Sequence, residues 1–153
     1  MKVIDHGQQS LEHLLLPRSM LDEIEQYCRA EAKLERCGLI GGRGELACTF
    51  YPVKNIAADA AHNYFVDPHD QLDAFRKMRA NQRELLAIVH SHPSSVAEPS
   101  PTDAQLAAYP GVAYLIVSLL NEEPTYGCYL YEQQTFTKLP LEIVRDSVDA
   151  GNV

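Results

Sequence analysis

Two histidines one residue apart, His90 and His92, close an apolar run, and a carboxylate, Asp103, follows after a ten-residue gap. In an extended segment the side chains at i and i+2 share a face, so both imidazoles can reach one ion at the strand's end. Strand ends are common places for sites in α/β sheets. Pro93 stops the strand, and Ser100-Pro101-Thr102-Asp103 opens a helix with Ser100 as N-cap and Pro101 in its first position. Two imidazoles and a carboxylate, with a fourth position left for water, form the ligand set of a catalytic zinc centre. Asp103 alone has a plainer explanation, because a carboxylate favours any helix N-terminus. Asp67-Pro68-His69-Asp70 repeats the same cap-Pro-x-Asp grammar with no histidine pair before it. A zinc centre of this kind also needs a base. Glu35 stands just ahead of the apolar run Cys37-Gly38-Leu39-Ile40, but spacing alone does not bring it to His90.

The elements that must position these residues are legible in the hydrophobic patterning. "LEHLLL" reads as a short strand, and Pro17 opens a helix whose Met20, Leu21, Ile24, Tyr27 and Cys28 share one face. "CGLIGG" enters a glycine-rich hairpin, and "ELACTFYPV" returns with Leu46, Cys48 and Phe50 alternating. "HNYFV" is expected as a further short strand, followed by a helix from Asp67-Pro68 with Leu72, Phe75 and Met78 facing inward. "LLAIV" and "VAYLIVSLL" are apolar throughout, as strands covered on both faces are. "TYGCYLY" and "TFTKL" predict a closing hairpin, and "LEIV" an edge strand. The expectation is an α/β fold with a central mixed β-sheet flanked by about three helices. It would form a single domain over residues 1–153, with 1–10 and 146–153 as loosely ordered ends.

Composition narrows the function classes. The chain is 46% hydrophobic and 22% charged, as soluble globular proteins are. A net charge of −8 argues against a nucleic-acid backbone as partner. Nothing in "MKVIDHGQQS" resembles a signal peptide, and no apolar run approaches a membrane span, so neither membrane nor export is expected. The four cysteines (Cys28, Cys37, Cys48, Cys128) contain no C-x-x-C pair, which leaves a cytoplasmic protein with reduced thiols as the expectation. Arg76, Arg79 and Arg83 line one edge of the second helix and read as a solvated face. His6, His13 and His69 carry no expected role, and His62 is a candidate for lining a substrate groove.

The run His90-Ser91-His92-Pro93, six residues, Ser100, two residues and Asp103 resembles the motif of the JAMM (MPN-plus) zinc metalloprotease family. Glu35-x-Cys37-Gly38-Leu39-Ile40-Gly41 looks like that family's first characteristic segment, and the likeness extends from "LPRSMLDEI" to "LPLEIV". The resemblance implies a single MPN/JAMM-type domain in which His90, His92 and Asp103 bind one zinc per chain with a bound water. It implies Glu35 as general acid/base next to that water, and Ser100 as a donor to the oxyanion. No covalent acyl-enzyme is then required, so Cys37 is read as a buried strand residue and not as a nucleophile.

The family cleaves peptide or isopeptide bonds after the C-terminal tails of ubiquitin-like proteins. With 54 residues between Glu35 and His90 and 50 after Asp103, the chain looks like the small stand-alone prokaryotic form. Such members resemble partners of ThiS/MoaD-type sulfur-carrier proteins, whose tails end in Gly-Gly. Removal of an amino acid such as cysteine, or of a short extension, is the expected reaction. The alternatives are a RadC-like protein, whose usual N-terminal domain this chain has no room for, and a catalytically idle zinc-containing interaction module. A cytidine-deaminase reading is disfavoured by the missing Cys-x-x-C. The oligomeric state is left open.

Overall fold

The computed structural model describes residues 11–146. In chain order the elements are β1 (Leu14–Pro17), α1 (Arg18–Ala30), β2 (Cys37–Arg43), β3 (Leu46–Val53), α2 (Pro68–Ala80), β4 (Glu84–His92), α3 (Pro101–Leu106), β5 (Val112–Ser118), β6 (Thr125–Glu132), β7 (Thr135–Lys138) and β8 (Leu141–Val144). All eight strands belong to one mixed sheet, in the order β7-β6-β5-β4-β2-β3-β1-β8. The expected sheet and its three helices are therefore present.

The two outermost strands, β7 and β8, are consecutive in the chain and separated only by Leu139-Pro140. Leu139 N–H donates to Cys128 O on the β7 side, and Leu14 N–H donates to Pro140 O on the β8 side, both at 2.9 Å. Two residues can span the edges of an eight-stranded sheet only if it curls until they approach each other. β8 is the edge strand expected from "LEIV", and it runs parallel to β1.

Each face of the sheet has its own apolar layer. Leu14, Leu16, Ile24, Cys28, Ile40, Val89, Leu115 and Val117 pack on the side of α1. Cys37, Leu39, Met78, Ile88 and Tyr114 pack on the side of α2. The alternation follows from the pleat: Ile88 faces α2 and Val89 faces α1. Strands β4 and β5 are parallel, so the chain must cross over between them, and the crossover contains α3. Among the described residues, no helix is long and apolar enough to cross a membrane.

Three local expectations are corrected. The alternation of Leu46, Cys48 and Phe50 fails because the β2–β3 register shifts between Gly41 and Gly42; Ala47 and Phe50 are buried while Leu46 and Cys48 are half-buried. "HNYFV" does not form a strand, and its only ladder contact is a single bridge between Asn55 and Val66. On α2 it is Ala74 and Met78 that are buried, while Leu72 is 47% exposed. Asp146, the first residue of the expected loose end 146–153, accepts a hydrogen bond from Ser19 N–H at 3.0 Å. The other expected loose ends, 1–10 and 147–153, lie outside the described residues.

Leu115 is fully buried in the centre of the sheet. Leu115→Ala is expected to lower unfolding free energy by about 2–5 kcal/mol, and Leu72→Ala to change it by less than about 0.5 kcal/mol. Urea denaturation of both variants measures this, and equal effects would contradict the layer assignment.

Candidate metal centre

His90 and His92 are the third-last and last residues of β4, and both are almost completely buried. Cys37 pairs with His90 across the antiparallel β2–β4 ladder, and Cys37 belongs to the α2-side layer. Both imidazoles therefore lie on that face, two and four residues beyond Ile88. Ser91 alternates to the other face.

Asp103 arrives from α3, whose first turn is built as a reciprocal cap. Ser100 Oγ accepts from the Asp103 N–H at 3.0 Å, and Asp103 Oδ2 accepts from the Ser100 N–H at 2.9 Å. The cap holds Asp103 with Oδ2 3.1 Å from His90 Nε2 and 3.2 Å from His92 Nε2, while the two Nε2 atoms are 3.2 Å apart. The plain capping role and the ligand role are thus carried by one oxygen.

The intervening loop completes the arrangement. His92 Nδ1 lies 2.7 Å from Val96 O, so it carries the proton and leaves Nε2 with a free lone pair. Ser118 Oγ donates to Ser95 O at 2.6 Å and Tyr129 Oη to Ala97 O at 3.2 Å, pinning the loop to β5 and β6. Gly127 is required there, since a Cβ would collide with the Ala97 carbonyl. The His90 ring has no such polar anchor: its Nδ1 is buried without a partner. It is instead stacked on the Tyr64 ring, with centroids 4.3 Å apart.

Protons satisfy this triangle poorly. A hydrogen on each Nε2 would set two donors against each other across 3.2 Å. A divalent cation satisfies all three lone pairs, and tetrahedral zinc bonds of about 2.0–2.1 Å put ligand atoms roughly 3.3 Å apart, close to the spacing here. His90, His92 and Asp103 are the one group of metal-capable side chains found among the described residues. The residues therefore fit a zinc ion.

For His90 and Asp103 the charge states favour the ligand forms. Burial lowers the pKa of His90 despite Asp103 beside it, favouring the neutral ligand form. For Asp103 burial acts upward, but its close contacts with His90 and His92 outweigh it and hold the carboxyl well below its usual range. For His92 burial acts downward, but the contacts with Asp103 and Val96 O overcome it and raise its pKa, so a metal would have to displace a proton there.

Glu35 lies in the segment just before β2. The β2–β4 ladder ends at Cys37–His90; just beyond it Ser91 N–H donates to Arg36 O, and Glu35 comes close enough to His92 and Asp103 for their charges to act on it. It is 6% exposed, and its Oε1 is buried with no hydrogen-bond partner. Burial raises its pKa from 4.5 to about 7, with His92 opposing and Asp103 adding to the rise. Ser100 spends an acceptor site on its cap, which leaves its hydroxyl proton free to donate.

The remaining candidates keep their plain readings. Burial pushes the Cys37 thiol up to about 12, so it is no nucleophile at neutral pH. His62 is exposed, pairs with Asp59 at 3.1 Å and lies near enough to Glu35 for its charge to act there; His13 pairs with Glu45 at 2.9 Å. His69 contributes its N–H to the Asp67 cap. His6 lies outside the described residues. Arg76 and Arg79 are exposed on α2, but Arg83 lies beyond the helix, which ends at Ala80, and is half-buried, so the expected edge of three arginines is corrected to two. The sequence reading missed Tyr64, Ser91 and Asn55. For Ser91 a signal existed: the position between two same-face histidines must point into the opposite layer, where a serine needs a partner. For Tyr64 and Asn55 none did, because their contacts are made across irregular backbone.

Residues 17–129 match the family described as prokaryotic homologues of the JAB domain. Among characterised proteins the chain is similar to a desampylase from Haloferax volcanii, 29% identical over 65% of this chain and 73% of that one. It is also similar to a probable TtuB-protein conjugate cleaving protease from Thermus thermophilus, 36% identical over 67% of this chain and 68% of the other. A CysO-cysteine peptidase from Mycobacterium tuberculosis is 28% identical over 69% and 73% of the two chains. A solved structure from Desulfitobacterium hafniense superposes with a TM-score of 0.81 at 29% identity, covering 89% of this chain and 96% of that one. A JAB1/MPN domain protein from Archaeoglobus fulgidus shares the fold, with a TM-score of 0.53 at 19% identity over 84% and 95%.

The raised Glu35 pKa has a stability consequence. A carboxyl that titrates near 7 folded and 4.5 unfolded contributes stability that is complete below pH 4.5 and lost as pH rises through 7. In metal-free protein, Glu35→Gln removes that loss. The variant's Tm relative to wild type should therefore climb between pH 4.5 and 8, and a constant difference across that range would refute the buried carboxyl.

Proposed function

The chain belongs to the prokaryotic JAB-domain family, and from that premise we propose that it is a zinc metallopeptidase cutting peptide or isopeptide bonds directly after a C-terminal Gly-Gly tail. The observation that carries this reading is the convergence of His90 Nε2, His92 Nε2 and Asp103 Oδ2 within 3.2 Å, with the buried Glu35 carboxyl nearby, its Oε1 without a partner.

His90, His92 and Asp103 would hold the zinc. When bound, zinc supplies Lewis acidity at the scissile carbonyl and makes water nucleophilic at neutral pH. Glu35 takes a proton from the attacking water and delivers it to the leaving amine. A carboxyl with a pKa of about 7 suits both directions of that transfer. The Ser100 hydroxyl, fixed in place by its cap, donates to the oxyanion as charge develops on the substrate carbonyl. The Val96 carbonyl keeps His92 in the ligating tautomer.

The substrate class follows the relatives. Proteins named as a desampylase, a TtuB-conjugate protease and a CysO-cysteine peptidase support a ubiquitin-like or ThiS/MoaD-type sulfur-carrier protein as substrate. A leaving group of one amino acid, such as cysteine, or a short extension fits the third of these names. Four unpaired cysteines suit a reducing cytoplasm as the place of action.

The test is intact-mass analysis of a sulfur-carrier protein extended beyond Gly-Gly by one cysteine or by a short peptide, incubated with zinc-loaded protein. Cleavage after the last glycine is expected. Glu35→Gln should keep one zinc per chain and lower kcat by about 10²–10⁴-fold. His92→Ala should lose both zinc and turnover. One zinc per chain with no mass change on linear or isopeptide-linked substrates would sink the proposal.

A further inference from the structure

Glu35 comes to the centre on backbone that is neither helix nor strand, and its main chain is held from two sides. On the sheet side, Ser91 N–H donates to Arg36 O and Ser91 Oγ accepts from the Arg36 N–H, both at 2.9 Å. On the outer side, Glu35 N–H donates to Ala60 O at 2.8 Å, and Glu35 O accepts from Asn55 Nδ2 at 2.7 Å.

Asn55 does more than close this one bond. Its Nδ2 also donates to Asn63 O, and its Oδ1 accepts from the N–H groups of Ala57 and Phe65, all at 2.9 Å. Two carbonyls lie at one end of the amide and two N–H groups at the other, so a single orientation satisfies all four and the side chain is saturated. Its place is the neck of the 56–65 segment, where Asn55 bridges Val66 and Ile56 N–H donates to Phe65 O at 2.9 Å. That irregular segment carries Tyr64, stacked on His90, together with Ile56 (48% exposed) and Phe65 (60% exposed).

We propose that Asn55 is a positioning residue for the reaction: its side-chain amide locks the Glu35 backbone to the 56–65 segment, so that Glu35 and the ring bracing His90 keep one fixed spacing. Nothing else described joins the two ends of that segment to Glu35 through a single side chain. The catalytic consequence rests on the peptidase reading above. An error near 1 Å in a general base costs up to about 100-fold in rate, which is the scale on which Asn55 acts.

The experiment compares wild type, Asn55→Ala and, as a milder change that keeps one hydrogen-bonding group, Asn55→Ser. Measured for each are kcat and KM on the Gly-Gly-extended carrier, zinc affinity by chelator competition, and amide hydrogen exchange. Asn55→Ala should lower kcat about 10- to 100-fold with KM and zinc affinity within about threefold, and Asn55→Ser should fall between it and wild type. Exchange should accelerate at the Glu35, Ala57 and Phe65 amides while Leu39 and Ile40 stay protected. Wild-type kcat in both variants, or zinc affinity falling in step with kcat, would overturn the positioning role. If zinc-loaded wild type cuts no Gly-Gly carrier, the peptidase reading fails. The exchange data then decide on Asn55 alone: selective acceleration supports the tie, and uniform or unchanged exchange overturns it.

Discussion

Cys37 stands opposite His90 in the antiparallel pairing of β2 with β4, and that register governs the whole centre. A slip of one residue would turn both imidazoles into the α1-side layer and move Glu35 away from them. The hydrophobic alternation guards against such a slip. Leu39 and Ile88 belong to the α2-side layer, Ile40 and Val89 to the other, and any shift would exchange them. The site is thus held in place by apolar residues that take no part in its chemistry.

Burial gives the centre its character and also its cost. Three donor atoms and one carboxylate sit at exposures of 7% or less, where unpaired polar groups are unfavourable. Asp103 meets that cost by serving its own helix cap and the histidines with one oxygen. Glu35 meets it by titrating near neutrality. The protein tolerates these strains because the surrounding sheet is covered on both faces.

Rigid and irregular parts divide the work. The histidines ride on a central strand, whereas Asp103, Glu35 and Tyr64 come from a helix start and two loops. Loops of this kind must satisfy their backbone locally. Here side chains do it: Ser118 and Tyr129 for the 93–99 loop, Ser91 and Asn55 for the chain around Glu35.

Much of this was legible before any coordinates. The paired histidines on one face, the proline stop, the Ser-Pro-x-Asp helix start and the apolar strands follow from local rules of period, capping and φ restriction, which need no partner to apply. Those rules failed where a neighbour intervened. The bulge between Gly41 and Gly42 changed which β3 residues point inward, and α2 turned Ala74 to the core in place of Leu72. "HNYFV" has strand composition but only one bridge, because most of the segment's hydrogen bonds go to the Asn55 side chain and to Asp59 O instead. The sequence alone determined which residues have the chemistry for a metal and a base. Only tertiary structure decided that Glu35 lies beside His92, since 54 residues separate Glu35 from His90 and a strand register, a long-range pairing, closes that gap.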